Sequence, residues 1–565
     1  MKIFLDKFIM GIYNLLKRQG GFYLAFFAFN CLPMCCYMVM KANGEAMFSF
    51  AGFMLLVNLL VVFFLDRLPP LGQKILKPAL LVIFFVPFII EAVTVYNYTA
   101  LIGVGIVASL LETNLKESGE FITMYMGTQE VILLVLLLSG GTWLFLNKPW
   151  RKLHLDAGGK RAAAGCLVSV AAIYTVMLFT LHAEVLWDTI FPMQRLVMSS
   201  STAIDNIRAY RELSGKLDTD VQLTRSDGKI KNVVFILGES TNRNHMHLYG
   251  YYLPNTPNLD AMAERGEISV FRDVVSPHST TVAVLSKLFT FCHNESDKPW
   301  YEYHNLIDIM NSAGYKTHWL SNQESSGIWG NVAQIYAAHS NVSHFTRIRD
   351  SREDDGLEDG ALFPLVDDAI AQRDAAKNFY VVHLMGGHGL YYNRFPYIFT
   401  KFTKDDIKLD VNDAQKTVIA QYDDALYYND YVVSGIIDKF RNTQEDTVVI
   451  YLPDHGEAVY DEGGFTGHIE ENPSRHMIEV PLIVWTSEKF RELHPDKWEA
   501  ISRAVNQPYM TDDMIHTILD IVDIQTVDYE PARSIINSQF DNTRLRIFDN
   551  KDYDREIRPA RGQGC

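Results

Sequence analysis

Five long apolar stretches fill the first third of this chain, and they limit its fold more than any other feature. They run near Gly21–Met40, Met47–Leu65, Ala79–Tyr96, Val131–Leu146 and Ala162–Leu181. A helix needs about 20 mostly apolar residues to cross a bilayer, so each stretch is read as a span. The segment Leu101–Leu111 is too short for that and suits an interfacial or pocket-lining position. The first stretch does not read as a signal peptide: it is long, four more follow, and no Ala-x-Ala-like site comes after it. One span would suffice to anchor a domain, so five suggest a bundle that also presents a lipid.

Loop charge sets an expected orientation. Lys2, Lys7, Lys17 and Arg18 precede the first span, Arg67, Lys74 and Lys77 separate the second from the third, and Lys148, Arg151, Lys152, Lys160 and Arg161 separate the fourth from the fifth. The alternate loops are poor in Lys and Arg, and one carries Glu112, Glu117 and Glu120. The positive-inside rule then places the N-terminus in the cytoplasm, and an odd number of spans places the C-terminal region outside, in the periplasm of a Gram-negative cell. The expected domains are residues 1–181 in the membrane, 182–229 as bridging helices near its surface, and 230–565 as a polar domain.

The mean hydropathy near zero averages an apolar third with a polar two-thirds. A net charge of −16 argues against a nucleic-acid partner. Of six cysteines only Cys292 and Cys565 lie in the polar part, so free thiols are the default reading for both.

In that part, runs rich in Val, Ile and aromatics recur at Val233–Leu237, Phe379–Leu384, Val448–Leu452 and Val480–Trp485, between helical patterns such as Leu362–Arg373 and Thr417–Phe440. They read as buried parallel strands of a doubly wound α/β domain. Ligands in such sheets bind beyond the carboxyl ends of the strands. Three of the four runs lead into a chemistry-bearing motif: Gly238-Glu239-Ser240, His383-Leu384-Met385-Gly386-Gly387-His388, and Asp454-His455-Gly456-Glu457. A fourth motif, Ser279-Thr280-Thr281, opens an apolar helical pattern, where exposed backbone N–H groups would hold a phosphate on the hydroxyl. Glu239, Thr281, Asp454 and His455 supply three oxygen donors and one nitrogen, a set that suits tetrahedral zinc. His388 follows two glycines and His468 follows the Gly-rich run 463–467, so both can approach a phosphate or a metal.

Together with Leu248-Tyr249-Gly250-Tyr251, Thr256-Pro257-Asn258-Leu259, Trp319-Leu320-Ser321-Asn322-Gln323 and Tyr391-Tyr392-Asn393-Arg394-Phe395-Pro396, these motifs make the chain resemble the phosphoethanolamine transferases of Gram-negative bacteria, within the alkaline phosphatase/sulfatase superfamily. The resemblance implies a five-helix transmembrane bundle followed by an α/β alkaline phosphatase/sulfatase-like domain with a mostly parallel sheet. It implies a metal-dependent transferase of the inner membrane that moves phosphoethanolamine from phosphatidylethanolamine to lipopolysaccharide. Zinc would be held by Glu239, Thr281, Asp454 and His455, with a second zinc left open. Thr281 would be the nucleophile, His388 and His468 catalytic and phosphate-binding, and Asn322 and His383 further substrate contacts. The loop Ser276-Pro277-His278-Ser279-Thr280-Thr281 departs from the Ser-Cys-Gly-Thr-x-Thr of lipid A enzymes and, with Leu288-Phe289-Thr290-Phe291, looks more like the branch acting on core heptose. A lysine that contacts phosphate in the lipid A branch has no counterpart at Gln323–Gly327. Lipid A or periplasmic glucans as acceptors, and phosphoglycerol as the transferred group, are the alternatives.

Overall fold

The structure, a computed structural model, describes residues 2–112, 139, 155–182, 191–213, 221–324, 332–347, 358–372 and 375–558. The chain divides into two compact units, one of residues 1–110 and 115–204, the other of residues 111–114 and 205–565.

In the first unit, helices α1 (Lys2–Met40), α2 (Gly44–Asp66), α3 (Pro70–Tyr98), α4 (Val104–Glu112) and α5 (Ala157–Leu181) are followed by α6 (Pro192–Leu213), which crosses the division between units. Among the described residues four helices, α1, α2, α3 and α5, are long and apolar enough to cross a membrane. The expected span Val131–Leu146 lies, but for Ser139, outside the described residues. α1 begins well before Gly21, because the Lys- and Arg-bearing segment ahead of the apolar stretch continues the same helix. Phe64, Ile75, Val82, Ile173 and Val176 point outward, the reverse of a water-facing bundle. Gly52 permits the α2–α5 crossing, since a Cβ there would lie 2.3 Å from Tyr174 Cβ. Glu91 and Arg195, both buried, form a fork-shaped pair, with Arg195 Nε 2.7 Å from Glu91 Oε2 and a second guanidinium nitrogen on Oε1. A buried charge in an apolar bundle persists only when paired in this way.

The second unit is built on seven strands: β1 (Asn232–Gly238), β2 (Ile268–Phe271), β3 (Lys316–Glu324), β4 (Val342–Arg347), β5 (Asn378–His383), β6 (Thr447–Pro453) and β7 (Leu482–Thr486). Their spatial order is β2-β7-β6-β1-β5-β3-β4. Four pairings are parallel, and β7 runs antiparallel to both β6 and β2, so the sheet is mixed. The expectation that Val480–Trp485 forms a parallel strand is corrected. The β6–β7 connection holds a two-stranded antiparallel hairpin and one four-residue helix in place of a crossover helix, and β7 returns antiparallel.

The middle of the sheet fixes the site. Leu237 on β1 is level with His383 on β5 and Leu452 on β6, so three carboxyl ends share one edge. All three strands are buried along their length, consistent with layers on both faces. The long helix α8 (Asp413–Arg441) starts from a capping box in which Asn412 and Gln415 bond each other's backbone N–H. The helix α7 (Thr281–Leu288) packs Val284, Leu285 and Leu288 into the core. Among the described residues Cys31, Cys35, Cys36, Cys166 and Cys292 are free thiols, and Cys565 lies outside them.

Candidate metal centre and nucleophile

Glu239 follows β1, Asp454 and His455 follow β6, and one ligand atom of each lies within 4.8 Å of the others. All three are buried. His455 Nε2 is 3.4 Å from both Glu239 Oε1 and Asp454 Oδ2. Thr281, the first residue of α7, brings its Oγ1 to 3.2 and 3.3 Å from the Glu239 oxygens and 3.3 Å from His455 Nε2. The structure thus gathers the four residues that the sequence singles out as a ligand set.

The backbone turns every ligand inward. Asp454 Oδ1 accepts N–H bonds from His455 (2.7 Å) and Ser240 (3.2 Å), whereas its buried Oδ2 has no hydrogen-bond partner. Ser240 reaches that position with φ +50, a left-handed conformation that is costly for a residue with a Cβ. His455 Nδ1 lies 2.8 Å from Gly456 O. A carbonyl only accepts, so Nδ1 carries the proton and Nε2 faces the cluster. Gly386 has φ +49, and a Cβ there would sit 2.4 Å from Glu239 O, so only glycine lets the β5 loop close onto the Glu239 backbone. That closure is made by Gly387 N–H donating to Glu239 O at 2.9 Å.

The cluster's electrostatics ask for a cation. Burial and the adjacent Glu239 charge push the Asp454 carboxyl well above the usual carboxylate range. Burial works against His455 charging, but the Asp454 and Glu239 carboxylates raise it to about 10. Burial would raise Glu239 too, yet its bond to His455 and the His455 charge hold it below its ordinary value. Two carboxylates this close are held together by protons or by a metal. The bare Asp454 oxygen, the directed His455 nitrogen and the Thr281 hydroxyl fit a metal with mixed oxygen and nitrogen ligands.

His388 and His468 stand close to this cluster. Their ring centroids are 6.4 Å apart, and the His468 ring is 4.2 Å from that of His455. His388 Nδ1 is buried without a hydrogen-bond partner, and burial pushes the ring down to about 3, so it is neutral at physiological pH. His468 Nδ1 lies 2.6 Å from Glu457 Oε2, and Tyr391 donates to the other Glu457 oxygen at 2.7 Å. His383 sits inside β5, where burial lowers it to about 4; its Nδ1 is 3.3 Å from Ser321 Oγ. The Asn322 amide donates to Asp359 at 2.7 Å and accepts from Thr346 at 2.5 Å.

Asp359 escaped sequence reading. It lies in a short 3-10 turn at Asp359–Ala361, and its carboxylate accepts N–H bonds from Met385 (2.8 Å) and Gly386 (2.9 Å), fixing the loop that carries His388. Arg394 holds the other side of that loop through the His388 and Gly389 carbonyls, at 2.8 and 2.7 Å. Glu470 accepts from Ser279 N–H at 3.0 Å and pairs with His278 at 2.5 Å, tying the loop that leads into Thr281 to the segment just after His468. Of Asp359, Glu470, Glu457 and Arg394, only Glu457, inside the Asp-His-Gly-Glu motif, and Arg394 lay in motifs visible from sequence.

Phosphoethanolamine transferase EptC of Escherichia coli O18:K1:H7 (strain RS218 / NMEC) is 26% identical over 466 residues, covering 77% of each chain. The C-terminal periplasmic domain of EcEptC from Escherichia coli, solved in complex with Zn, superposes with a TM-score of 0.56 at 29% identity, covering 60% of this chain and 97% of that one. The integral membrane protein lipooligosaccharide phosphoethanolamine transferase A (EptA) from Neisseria meningitidis superposes with a TM-score of 0.65 over 91% of this chain and 97% of its own, and at 21% identity it speaks for the fold. Residues 231–524 match the sulfatase family, from β1 to beyond β7, and the chain belongs to that family.

Proposed function

We propose that this protein is a zinc-dependent phosphoethanolamine transferase of the bacterial inner membrane. In this reading it takes phosphoethanolamine from phosphatidylethanolamine and delivers it to lipopolysaccharide, at core heptose. The observation that carries the reading is the Thr281 hydroxyl within 3.3 Å of both Glu239 oxygens and His455 Nε2. The name of the E. coli relative supports the transferred group, and the zinc complex of the EcEptC domain supports the metal. Four apolar helices and the outward apolar side chains support the membrane location. The N-terminus is assigned to the cytoplasm and the second unit to the periplasm on loop charge.

Glu239, Asp454, His455 and Thr281 would hold the zinc. Bound there, it supplies Lewis acidity that lowers the pKa of a ligating hydroxyl and offsets phosphate charge. Thr281 Oγ1 attacks phosphorus in line: the Oγ1–P bond forms, the bond from phosphorus to the diacylglycerol oxygen breaks, and that oxygen leaves with a proton. N–H groups in the first turn of α7 lack intrahelical acceptors and are free to hold phosphoryl oxygens. His388, kept neutral by burial, binds phosphate by hydrogen bonding rather than by charge. His468, with Glu457 fixing Nδ1–H, presents a bare Nε2 that takes the Thr281 hydroxyl proton and passes it to the leaving diacylglycerol oxygen; in the second step it takes the acceptor's proton and returns it to Thr281 Oγ1. An acceptor hydroxyl then attacks the phosphothreonine and restores Thr281.

Thr281→Ala and Asp454→Ala, compared by zinc content and by transfer from labelled phosphatidylethanolamine, test the assignment. Thr281→Ala should lose transfer, and Asp454→Ala should lose zinc and transfer together. Full transfer by Thr281→Ala would sink it.

A further inference from the structure

A small cavity lies beside Thr281. Thr281, Ser321, Gln323, Phe345 and His383 line it, with Leu285 among its apolar walls. Its volume is about 40 Å³. An ordered water needs roughly 10–15 Å³ of such space, so the cavity takes about three non-hydrogen atoms.

The lining has a definite chemistry. His383 is 2% exposed, and its Nε2 is buried with no hydrogen-bond partner. A buried ring nitrogen in that state calls for a ligand or a water. If Nδ1–H donates to Ser321 Oγ, 3.3 Å away, Nε2 presents a bare lone pair. Gln323 is oriented by its backbone N–H on Ser321 Oγ (3.0 Å) and its amide nitrogen on Leu384 O (3.1 Å), which leaves the amide oxygen as an acceptor. Phe345 adds an aromatic ring. No Lys or Arg lines the cavity, so it offers an anion nothing, whereas acceptors with an aromatic ring suit a small organic cation.

We propose that this cavity receives the two-carbon ammonium tail of the group carried on Thr281, with His383, Gln323 and Phe345 selecting a primary ammonium headgroup. The inference rests on the phosphoethanolamine reading above and deepens it. An aminoethyl tail matches the available volume, whereas glycerol and choline tails are larger. His383 and Gln323 are then specificity residues, distinct from the metal ligands.

The test uses the full-length zinc-loaded protein with vesicles of phosphatidylethanolamine, phosphatidylglycerol or phosphatidylcholine, each as the sole donor. The readout is the initial rate of the mass adduct on Thr281. His383→Phe and Gln323→Leu should each lower the rate ratio of phosphatidylethanolamine to phosphatidylglycerol by about tenfold, with zinc content unchanged. Wild-type ratios in both variants, with the adduct still forming from phosphatidylethanolamine, would overturn the cavity assignment and leave the transferase reading standing. Loss of zinc in both variants would assign these residues to the metal site and likewise overturn it. No adduct from phosphatidylethanolamine in the wild-type protein would overturn both readings.

Discussion

Replacing Asp359 with alanine should damage the candidate site from outside it. The buried carboxylate accepts three hydrogen bonds, from Met385 N (2.8 Å), Gly386 N (2.9 Å) and Asn322 Nδ2 (2.7 Å). A buried donor left without an acceptor costs about 1–3 kcal/mol. Three such losses, reduced by local relaxation and entering water, come to roughly 3–5 kcal/mol. Asp359→Asn keeps one carbonyl oxygen and should lose about half of that. For a unit of this size about 2 °C of melting temperature goes with each kcal/mol, so Asp359→Ala should melt roughly 6–10 °C lower. The freed loop carries His388 and, through Gly387, touches the Glu239 backbone. At 25 °C kcat/KM should therefore fall by about 10- to 100-fold even though most molecules stay folded. Thermal melts and initial rates of the detergent-solubilised full-length protein measure both. A melting temperature within about 1 °C of wild type would refute the stabilising role, and a large drop with wild-type kcat/KM would refute the link from this loop to the chemistry.

Three further outcomes follow from the same geometry. Gly386→Ala places a Cβ at φ +49 and 2.4 Å from Glu239 O, which should cost about 2–4 kcal/mol; zinc affinity should drop with it, and an unchanged zinc Kd by chelator competition would contradict the contact. In metal-free protein burial and the Glu239 charge favour the protonated Asp454 carboxyl, and the neighbouring carboxylates raise His455 to about 10, so zinc binding near neutral pH should release protons; calorimetry in buffers of different ionisation enthalpy reads this, and zero release would refute it. His245 lies between Asp423 and Asp461, at 2.9 Å from each; burial opposes its charge, but the two carboxylates raise it to about 10 from an ordinary 6.5. Its folded value exceeds its unfolded one, so its stabilisation is complete below pH 6.5 and is lost as pH rises through about 10. The stability gap between wild type and His245→Phe should shrink across that window, and a constant gap would contradict the assignment.

How much of this was legible beforehand depends on where each signal sits. The strands that build the site, β1, β5 and β6, are central and buried on both faces, so their Val and Ile runs stand out in sequence. β7 has the same composition, and composition carries no direction, so its antiparallel course was invisible. β3 escaped notice because Lys316, His318, Ser321 and Gln323 interrupt its apolar residues. Glu239, Asp454 and His455 were legible because each follows a strand end directly, and Thr281 because an apolar helix follows it. Asp359 and Glu470 act on loops that are distant in sequence, 26 and 191 residues away for their bonds to Met385 and Ser279, and no local pattern marks such a pairing. Asn322 stood in a conspicuous motif, yet its amide is engaged with Asp359 and Thr346, a contact that only the fold brings about.

The most direct test of the central claim is the intact mass of zinc-loaded full-length protein after incubation with phosphatidylethanolamine, followed by peptide mapping. The account predicts one phosphoethanolamine adduct, on Thr281, absent from Thr281→Ala. An adduct on another residue, or one formed from phosphatidylglycerol but not from phosphatidylethanolamine, would contradict it.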